Sequence, residues 1–143
     1  MHRFASVILV DRRGWILLQE RDETPVIDPE KWGLSGGHVE DGEAFEAAAY
    51  RELAEETGVT LDGGLILWRE FEVFHEAYGT VDQVQVFAAP TRLTDADLIC
   101  QEGRQVAFVD PDSVTELDLS TSASSILPAF LASGLYHSLK EQP

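Results

Sequence analysis

The sequence predicts an α/β fold in three layers, in which strands and helices alternate along the chain. Three observations support this prediction: short apolar segments rich in β-branched residues, an Ala-, Glu- and Leu-rich segment without Gly or Pro, and an apolar stripe of helical spacing near the end of the chain. The 143 residues contain no repeat, low-complexity tract or linker, so residues 1–143 are expected to form one domain.

The first elements are predicted to be a hairpin-like pair of strands. Phe4 to Val10 and Trp15 to Gln19 are apolar, and they flank the turn sequence Asp11 to Gly14. Residues 21–31 are polar and contain two prolines, which predicts a loop. Residues Trp32 to Gly37 then form a short extended segment that ends in two glycines.

Glu43 to Thr57 is the clearest helical segment, and Gly58 is a typical C-terminal stop. Leu65 to Phe74 and Val81 to Ala89 have the composition of strands, and the second of these alternates apolar with polar residues.

The last part of the chain is predicted to hold a strand, a helical turn and a helix. Gln105 to Val109 is the strand, and Pro111 to Leu117 is the turn. Ser124 to Leu139 carries the apolar stripe, with Pro128 in the first turn, where proline is tolerated.

The charge balance restricts the partners of this protein. Asp and Glu total 26 against 10 Lys and Arg, a net charge of −16. Such a field repels nucleic acid polymers and anionic membrane surfaces. A phosphorylated small molecule would need a cation or a local arginine in order to approach. Much of the acidity can also be explained as a contribution to solubility.

The single cysteine, Cys100, excludes an internal disulfide and a multi-cysteine zinc site. The apolar run Phe4 to Val10 is too short for a signal peptide, and no apolar stretch is long enough for a membrane span. A cytoplasmic protein is therefore expected.

Three carboxylates are predicted to share one face of the central helix. At about 100° per residue, Glu52, Glu55 and Glu56 fall within about 100° of one another. A solvated acidic face is the alternative interpretation. However, an i,i+4 pair of like charges and acids at the helix C-terminus are both unfavourable, and a divalent cation would remove both penalties. Carboxylate oxygens without His or Cys favour Mg²⁺ or Mn²⁺.

The glycines and one arginine add to this pattern. Gly36 and Gly37 let the backbone come close to the acidic face and free carbonyl oxygens as further hard ligands. Glu43 and Arg51 are about two helical turns apart, so an ion pair between them could orient that face. Ordinary surface pairing is the alternative.

These residues together resemble a complete box of the Nudix hydrolase superfamily, of the MutT-like kind. The matching positions are Gly37, Glu43, Arg51-Glu52-Leu53, Glu55-Glu56 and Gly58-Val59. One position departs from the family pattern, because Ser35 stands where a proline commonly precedes the two glycines. The resemblance implies a Nudix-type α/β/α sandwich with a mixed β-sheet between helices.

The resemblance also implies roles for individual residues. In similar enzymes the glutamates that match Glu52, Glu55 and Glu56 bind Mg²⁺, and the carbonyl that matches Gly37 adds a ligand. The matching arginine and first glutamate pair to hold the helix and loop.

The general base varies among relatives. It is sometimes the glutamate that matches Glu52 and sometimes a glutamate on a later loop. Glu102 lies where that later glutamate is often found, so it is expected to be either a further metal ligand or the base. Glu52, Glu56 and Glu102 are thus the candidate catalytic carboxylates, supported by Arg51 and Glu43.

The candidate substrate contacts lie outside the box, and one of them, Gly36, directly precedes it. Arg21 and Arg104 are candidate phosphate contacts because of their charge. The aromatic residues that could stack on a base are Trp32, Phe74, Tyr78 and Phe87, and core packing is the alternative for each.

The mechanism expected is hydrolysis of a phosphoanhydride bond, which needs positioning and charge neutralisation more than covalent chemistry. The stretch from Glu70 to Asp82 lacks the proline of ADP-ribose hydrolases, Tyr78 is not clearly at the tyrosine position of dinucleoside polyphosphate hydrolases, and no coenzyme A signature is present. A nucleoside triphosphate or a sugar nucleotide is therefore the favoured small-molecule substrate.

Two other functions fit the same fold. One is a nucleotide-sensing domain that binds without turnover. The other is a diphosphate isomerase, for which Cys100 beside Glu102 is the supporting feature. Relatives are often dimers, so a homodimer is one assembly that the resemblance implies.

Overall fold

Seven strands form one mixed sheet with helices on both of its faces. In this computed structural model the described residues are 1–141, so the last two residues of the predicted 1–143 domain lie outside them. The strands are β1 (Arg3–Val10), β2 (Ile16–Glu20), β3 (Trp32–Gly33), β4 (Ser35–His38), β5 (Ile66–His75), β6 (Thr80–Pro90) and β7 (Gln105–Val109). The helices are α1 (Phe45–Thr57), α2 (Thr121–Leu131) and α3 (Gly134–Lys140).

Strand β1 lies at the centre of the sheet and has three partners. It pairs in parallel with β6 along its whole length and in antiparallel fashion with β2 at Val10. Its first half pairs with β4, where Ser6 lies opposite Gly36 and Ala5 opposite Gly37. Strands β3 and β7 pair with β2, and β5 pairs with β6. The two glycines are therefore held in the sheet beside its central strand.

Both faces of the sheet are buried, which gives the predicted three layers. On one face, α1 contributes Ala48, Ala49 and Leu53 to a core shared with Phe87 of β6. On the other face, α2 and α3 pack against the alternate residues of β1, β2 and β6. Burial of a large apolar side chain contributes roughly 1.5–3 kcal/mol, so these two clusters hold the helices on the sheet. The predicted α/β/α sandwich is confirmed.

Helix α1 ends where the sequence predicts and begins two residues later. Gly58 takes a left-handed conformation (φ 74°), and its N–H donates to the carbonyl of Ala54. Ala44, the N-cap residue, has no side chain that can cap the helix. Glu43 precedes it, and its carboxylate instead accepts a hydrogen bond from the Glu40 N–H at 3.0 Å.

The prediction of one helix from Ser124 to Leu139 is wrong. Two helices, α2 and α3, meet at Ala132 and Ser133. Ser120 and Ser133 each accept a hydrogen bond from a backbone N–H of the helix that follows, so each starts a helix of its own. Pro128 consequently lies inside α2 and not in a first turn.

The remaining differences are at element ends. The predicted extended segment Trp32 to Gly37 forms two short strands, β3 and β4. Strand β5 is shifted by one residue towards the C-terminus, and β6 is one residue longer at each end than predicted. Two 3₁₀ turns are present: Pro111–Glu116, close to the prediction, and Asp95–Asp97, which was not predicted. Among residues 1–141, no helix is long and apolar enough to cross a membrane.

The buried hydroxyl of Ser35, next to the two glycines, leads to a prediction about stability. It pairs with Val7, is fully buried, and its hydroxyl lacks a hydrogen-bond partner among the described residues. Ser35→Ala should therefore raise the free energy of unfolding, by about 1 kcal/mol. Urea titration with a constant m-value measures this change.

Thr57→Val is the matched control for this prediction. The Thr57 hydroxyl is equally buried but donates to the Leu53 carbonyl at 2.7 Å, so its loss should cost about 1 kcal/mol. A Ser35→Ala protein destabilised as much as Thr57→Val would show that the Ser35 hydroxyl has a partner after all.

Candidate active site

A cleft of about 630 Å³ lies between α1, β4 and the loop before β7, and we call it the acidic cleft. Six acidic residues of the described chain line it: Asp22, Glu40, Glu52, Glu55, Glu56 and Glu102. Arg21, Gly36 and Gly37 also form part of its wall. The structure therefore brings the predicted metal ligands together with two of the predicted substrate contacts.

The glycines of β4 lie against the carboxylates of α1. The Gly36 N–H donates to Glu56 Oε1 at 2.7 Å. A side chain at Gly36 would collide with the carbonyl of Ala5, and a Cβ on Gly37 would lie 2.6 Å from the Glu52 carboxylate. Gly36 also has a φ of 152°, which L-residues rarely adopt. Only glycines permit this close approach.

Arg51 connects the start of the box with the helix. Its guanidinium donates to Glu43 at 2.8 and 2.9 Å and to the carbonyl of His38 at 3.0 Å. It also contacts Glu52 at 3.0 Å and Glu55 at 3.3 Å. The predicted pairing of Glu43 with Arg51 is therefore present, and these bonds hold the pKa of Glu43 down to about 2.

Two of the helix carboxylates lie next to one another, Glu56 buried and Glu52 partly buried. Burial is the main reason that the pKa of Glu56 is raised to about 8; the hydrogen bond from the Gly36 N–H opposes this shift, and the neighbouring Glu52 and Glu102 add to it. Burial also raises the pKa of Glu52, although Arg51 opposes this shift. Negative charge in this cleft is thus poorly compensated by the protein alone.

The donor chemistry of the cleft suits a hard divalent cation. Carboxylate oxygens are the ligands that Mg²⁺ and Mn²⁺ prefer. Glu52 is turned to Arg51 and Glu56 to the Gly36 N–H, and over residues 1–141 no group of three His, Cys, Asp or Glu side chains is arranged around a common point for a metal. A cation would have to draw these carboxylates away from their present partners.

The loop that carries Glu102 is fixed to the sheet. Gln19 of β2 is buried, and its side-chain amide donates to the carbonyl of Glu102 at 2.9 Å. The thiol of Cys100 donates to the same carbonyl at 3.3 Å. Cys100 is exposed and does not line the acidic cleft, so the feature that supports an isomerase is not directed at the site.

The predicted substrate contacts have different outcomes. Arg21 lies in the cleft wall, and its Nε is buried without a hydrogen-bond partner among the described residues. Arg104 does not line the cleft, because its guanidinium is paired with Glu30 at 2.9 Å and Glu23 at 3.5 Å. The structure thus does not bring Arg104 into the acidic cleft with Arg21 and Gly36.

Phe87 cannot stack on a ligand as predicted. It is 2% exposed and packs in the core between the sheet and α1. Of the other aromatic candidates, Trp32 packs partly against the opposite core, and Phe74 is exposed. Tyr78 alone of these four lines a cleft next to the acidic one.

That second cleft, of about 260 Å³, was not predicted, and we call it the aromatic cleft. Its rings belong to Phe4, His38, His75 and Tyr78. It shares Arg21, Pro25, Gly36, Gly37 and His38 with the acidic cleft, so the two are continuous. The rings come from separate strands and a hairpin turn, and no local sequence pattern connects them.

Comparison with known proteins supports this arrangement. Residues 1–130 match the family model described as NUDIX domain. An uncharacterized Nudix hydrolase of Listeria innocua is 28% identical over 137 residues, which are 95% of this chain and 78% of the relative. The nucleoside triphosphatase NudI of Enterobacter sp. is 29% identical over 119 residues, which are 78% of this chain and 84% of the relative.

A solved structure agrees with these relatives. The crystal structure of a MutT NUDIX hydrolase from Burkholderia pseudomallei matches with a TM-score of 0.72 and 25% identity, over 89% of this chain and 95% of that one. The predicted resemblance is thereby confirmed. The chain belongs to the Nudix family and is a MutT-like pyrophosphohydrolase that acts on nucleoside diphosphate derivatives.

Proposed function

We propose that this enzyme uses Mg²⁺ to hydrolyse a phosphoanhydride bond in a nucleoside triphosphate or a sugar nucleotide. One observation carries the proposal: Glu52, Glu55, Glu56 and Glu102 line a single cleft beside Gly37. The similarity to the NudI nucleoside triphosphatase supports the first of the two substrate classes.

The charge of the cleft makes a cation necessary for this reaction. Six acidic residues face the space that a polyphosphate would occupy, in a chain of net charge −16. A bound Mg²⁺ offsets the negative charge of the substrate and lowers the pKa of a coordinated water. Glu52, Glu55, Glu56, Glu102 and the Gly37 carbonyl are the groups that would hold it.

The protein residues have separate tasks in the proposed reaction. Glu52 or Glu102 takes a proton from the attacking water, whose oxygen forms the new bond to phosphorus as the bond to the bridging oxygen breaks. Glu43 and Arg51 keep α1 in register with the β4 loop through their 2.8 Å ion pair. Arg21, with an unpaired Nε in the cleft wall, donates to a phosphate oxygen.

The aromatic cleft accounts for the nucleoside part of the substrate. It opens onto the acidic cleft at Gly36, Gly37 and His38, so a molecule with an anionic end and a planar ring can occupy both. Small-molecule sites of this type combine an apolar wall with a few polar groups.

A substrate screen tests the proposal directly. The panel consists of nucleoside di- and triphosphates, sugar nucleotides, dinucleotides and an isoprenoid diphosphate, each with Mg²⁺, with Mn²⁺ and with excess chelator. We expect turnover of a nucleoside triphosphate or sugar nucleotide that stops with chelator and returns with Mg²⁺. Binding without turnover throughout the panel would instead support the nucleotide-sensing alternative, and conversion of the isoprenoid diphosphate the isomerase.

Glu56→Gln should abolish Mg²⁺-dependent hydrolysis without destabilising the metal-free protein. The amide keeps an oxygen for the Gly36 N–H and replaces a buried carboxyl whose pKa of about 8 leaves it mostly protonated in the metal-free protein, but it cannot ionise to bind a cation. Glu46→Gln, at an exposed position of the same helix, is the control and should retain full activity. Retained activity in Glu56→Gln, or a melting temperature several degrees lower, would remove Glu56 from the proposed site.

Gly37→Ala should lower kcat by about 100-fold while the melting temperature stays near that of the wild type. The added methyl group meets the flexible end of Glu52, which can shift away at little cost to the fold but leaves its catalytic position. Gly63→Ala, where a Cβ meets open space, is the matched control. Equal activity of the two variants would contradict a role for the Gly37–Glu52 contact.

A further inference from the structure

His75 and Asp82 form a buried pair in the hairpin between β5 and β6. His75 is 5% exposed and Asp82 is fully buried. His75 Nδ1 lies 2.7 Å from Asp82 Oδ2, and the ring of His75 forms part of the wall of the aromatic cleft. The proposed hydrolysis assigns no task to this pair.

Asp82 is held in one orientation by donors on its other oxygen. The backbone N–H of His2 donates to Oδ1 at 2.8 Å, and the hydroxyl of Thr80 donates to the same atom at 2.7 Å. Burial raises the pKa of Asp82, but these hydrogen bonds and the one to His75 outweigh it and lower the pKa to about 2. The side chain is therefore an ionised carboxylate.

The carboxylate determines which nitrogen of His75 carries the proton. An ionised carboxylate can only accept hydrogen bonds, so Nδ1 must be the donor. In a neutral imidazole the other nitrogen, Nε2, is then a hydrogen-bond acceptor. In its neutral form, His75 therefore adds one hydrogen-bond acceptor, Nε2, to the residues that line the aromatic cleft.

The surrounding rings restrict what can meet this acceptor. Phe4 lies edge-to-face with His75 at 5.2 Å between ring centroids, and Tyr78 is stacked on His2 at 4.0 Å. Phe4 also contacts His38, which borders the acidic cleft. The aromatic cleft, of about 260 Å³, is the space that the planar part of a ligand would have to enter in order to reach His75.

We propose that His75, oriented by Asp82, selects substrates whose ring carries an amino group by accepting a hydrogen bond from that group at Nε2. His75 is then a specificity-determining residue, and Asp82 is a positioning residue that acts through it. The inference rests on the proposed function in one respect, namely that the ring in the aromatic cleft is the base of the nucleotide.

The test uses ligands that cannot be hydrolysed at an anhydride. Calorimetric titration compares adenosine 5′-monophosphate with purine riboside 5′-monophosphate, and guanosine 5′-monophosphate with inosine 5′-monophosphate. Within each pair the second compound lacks one exocyclic amino group. We expect the amino compound of at least one pair to bind roughly tenfold more tightly to the wild type, the effect of one neutral hydrogen bond.

Asp82→Asn should remove this preference by reversing the tautomer. The His2 N–H keeps an oxygen at the Oδ1 position, so the amide nitrogen faces His75 and donates to Nδ1. The ring proton then moves to Nε2, which becomes a donor. Nitrogen-15 NMR at mildly alkaline pH, with the His75 signals assigned by their loss in His75→Phe, should show the proton on Nδ1 in the wild type and on Nε2 in the variant.

Two further variants make the result specific. Thr80→Val removes one hydrogen bond to Asp82 but leaves the contact with His75, so the preference should remain. His75→Phe keeps a ring but no acceptor, so the affinities within each pair should become equal. The titrations of the wild type need no variant, so a wild type that discriminates neither pair overturns the inference even if a variant fails to fold.

The inference is overturned if neither pair is discriminated by the wild type, if His75→Phe retains the preference, or if the wild-type proton lies on Nε2 or on both nitrogens. These outcomes are separate from failure of the proposed function. Preferential binding without hydrolysis of any phosphoanhydride would leave the role of His75 intact and refute only the turnover.

Discussion

The close contact between strand β4 and helix α1 is the constraint on which the site depends. Glu56 receives the Gly36 N–H at 2.7 Å, and Gly37 leaves no room for a side chain above Glu52. Because β4 is paired with the central strand β1, the carboxylates are fixed relative to the whole sheet. A side chain at Gly36 would collide with the backbone of β1, and a side chain at Gly37 would displace the Glu52 carboxylate.

This contact brings negative charges together, and the protein compensates them only in part. The guanidinium of Arg51 pairs with Glu43 and also contacts Glu40, Glu52 and Glu55, so one positive charge is shared among four carboxylates. Glu56 lies deeper, and burial together with its acidic neighbours raises its pKa to about 8. A divalent cation that entered the cleft would compensate these charges in place of a proton, and an acidic chain could then act on an anionic substrate.

Strand β4, which carries the two glycines, lies at the boundary where the acidic cleft and the aromatic cleft meet. Gly36, Gly37 and His38 belong to both walls, with acids on one side and rings on the other. A substrate that crosses this strand presents its phosphates and its ring to different chemical surroundings. The residues that bind the ring can therefore change independently of the acidic residues, because the rings of the aromatic cleft come from β1, β4, β5 and the hairpin turn and not from α1.

The sequence alone determined the acidic half of the site. Helical periodicity places Glu52, Glu55 and Glu56 on one face, and the box spacing relates them to Gly37 and to the Glu43–Arg51 pair, because these relations are local along the chain. Composition predicted the strand positions to within one or two residues. It did not predict the break between α2 and α3, because the apolar stripe continues past Ser133, the residue that caps α3.

Only the tertiary structure decided which other side chains reach the site. Arg104 is neutralised by Glu30, 74 residues away in the chain, and Phe87 is covered by α1. His75 gains its fixed orientation from Asp82 across a hairpin. Each of these outcomes depends on how separate elements pack against one another, and the pattern within a single element carries no information about the neighbour that will cover it.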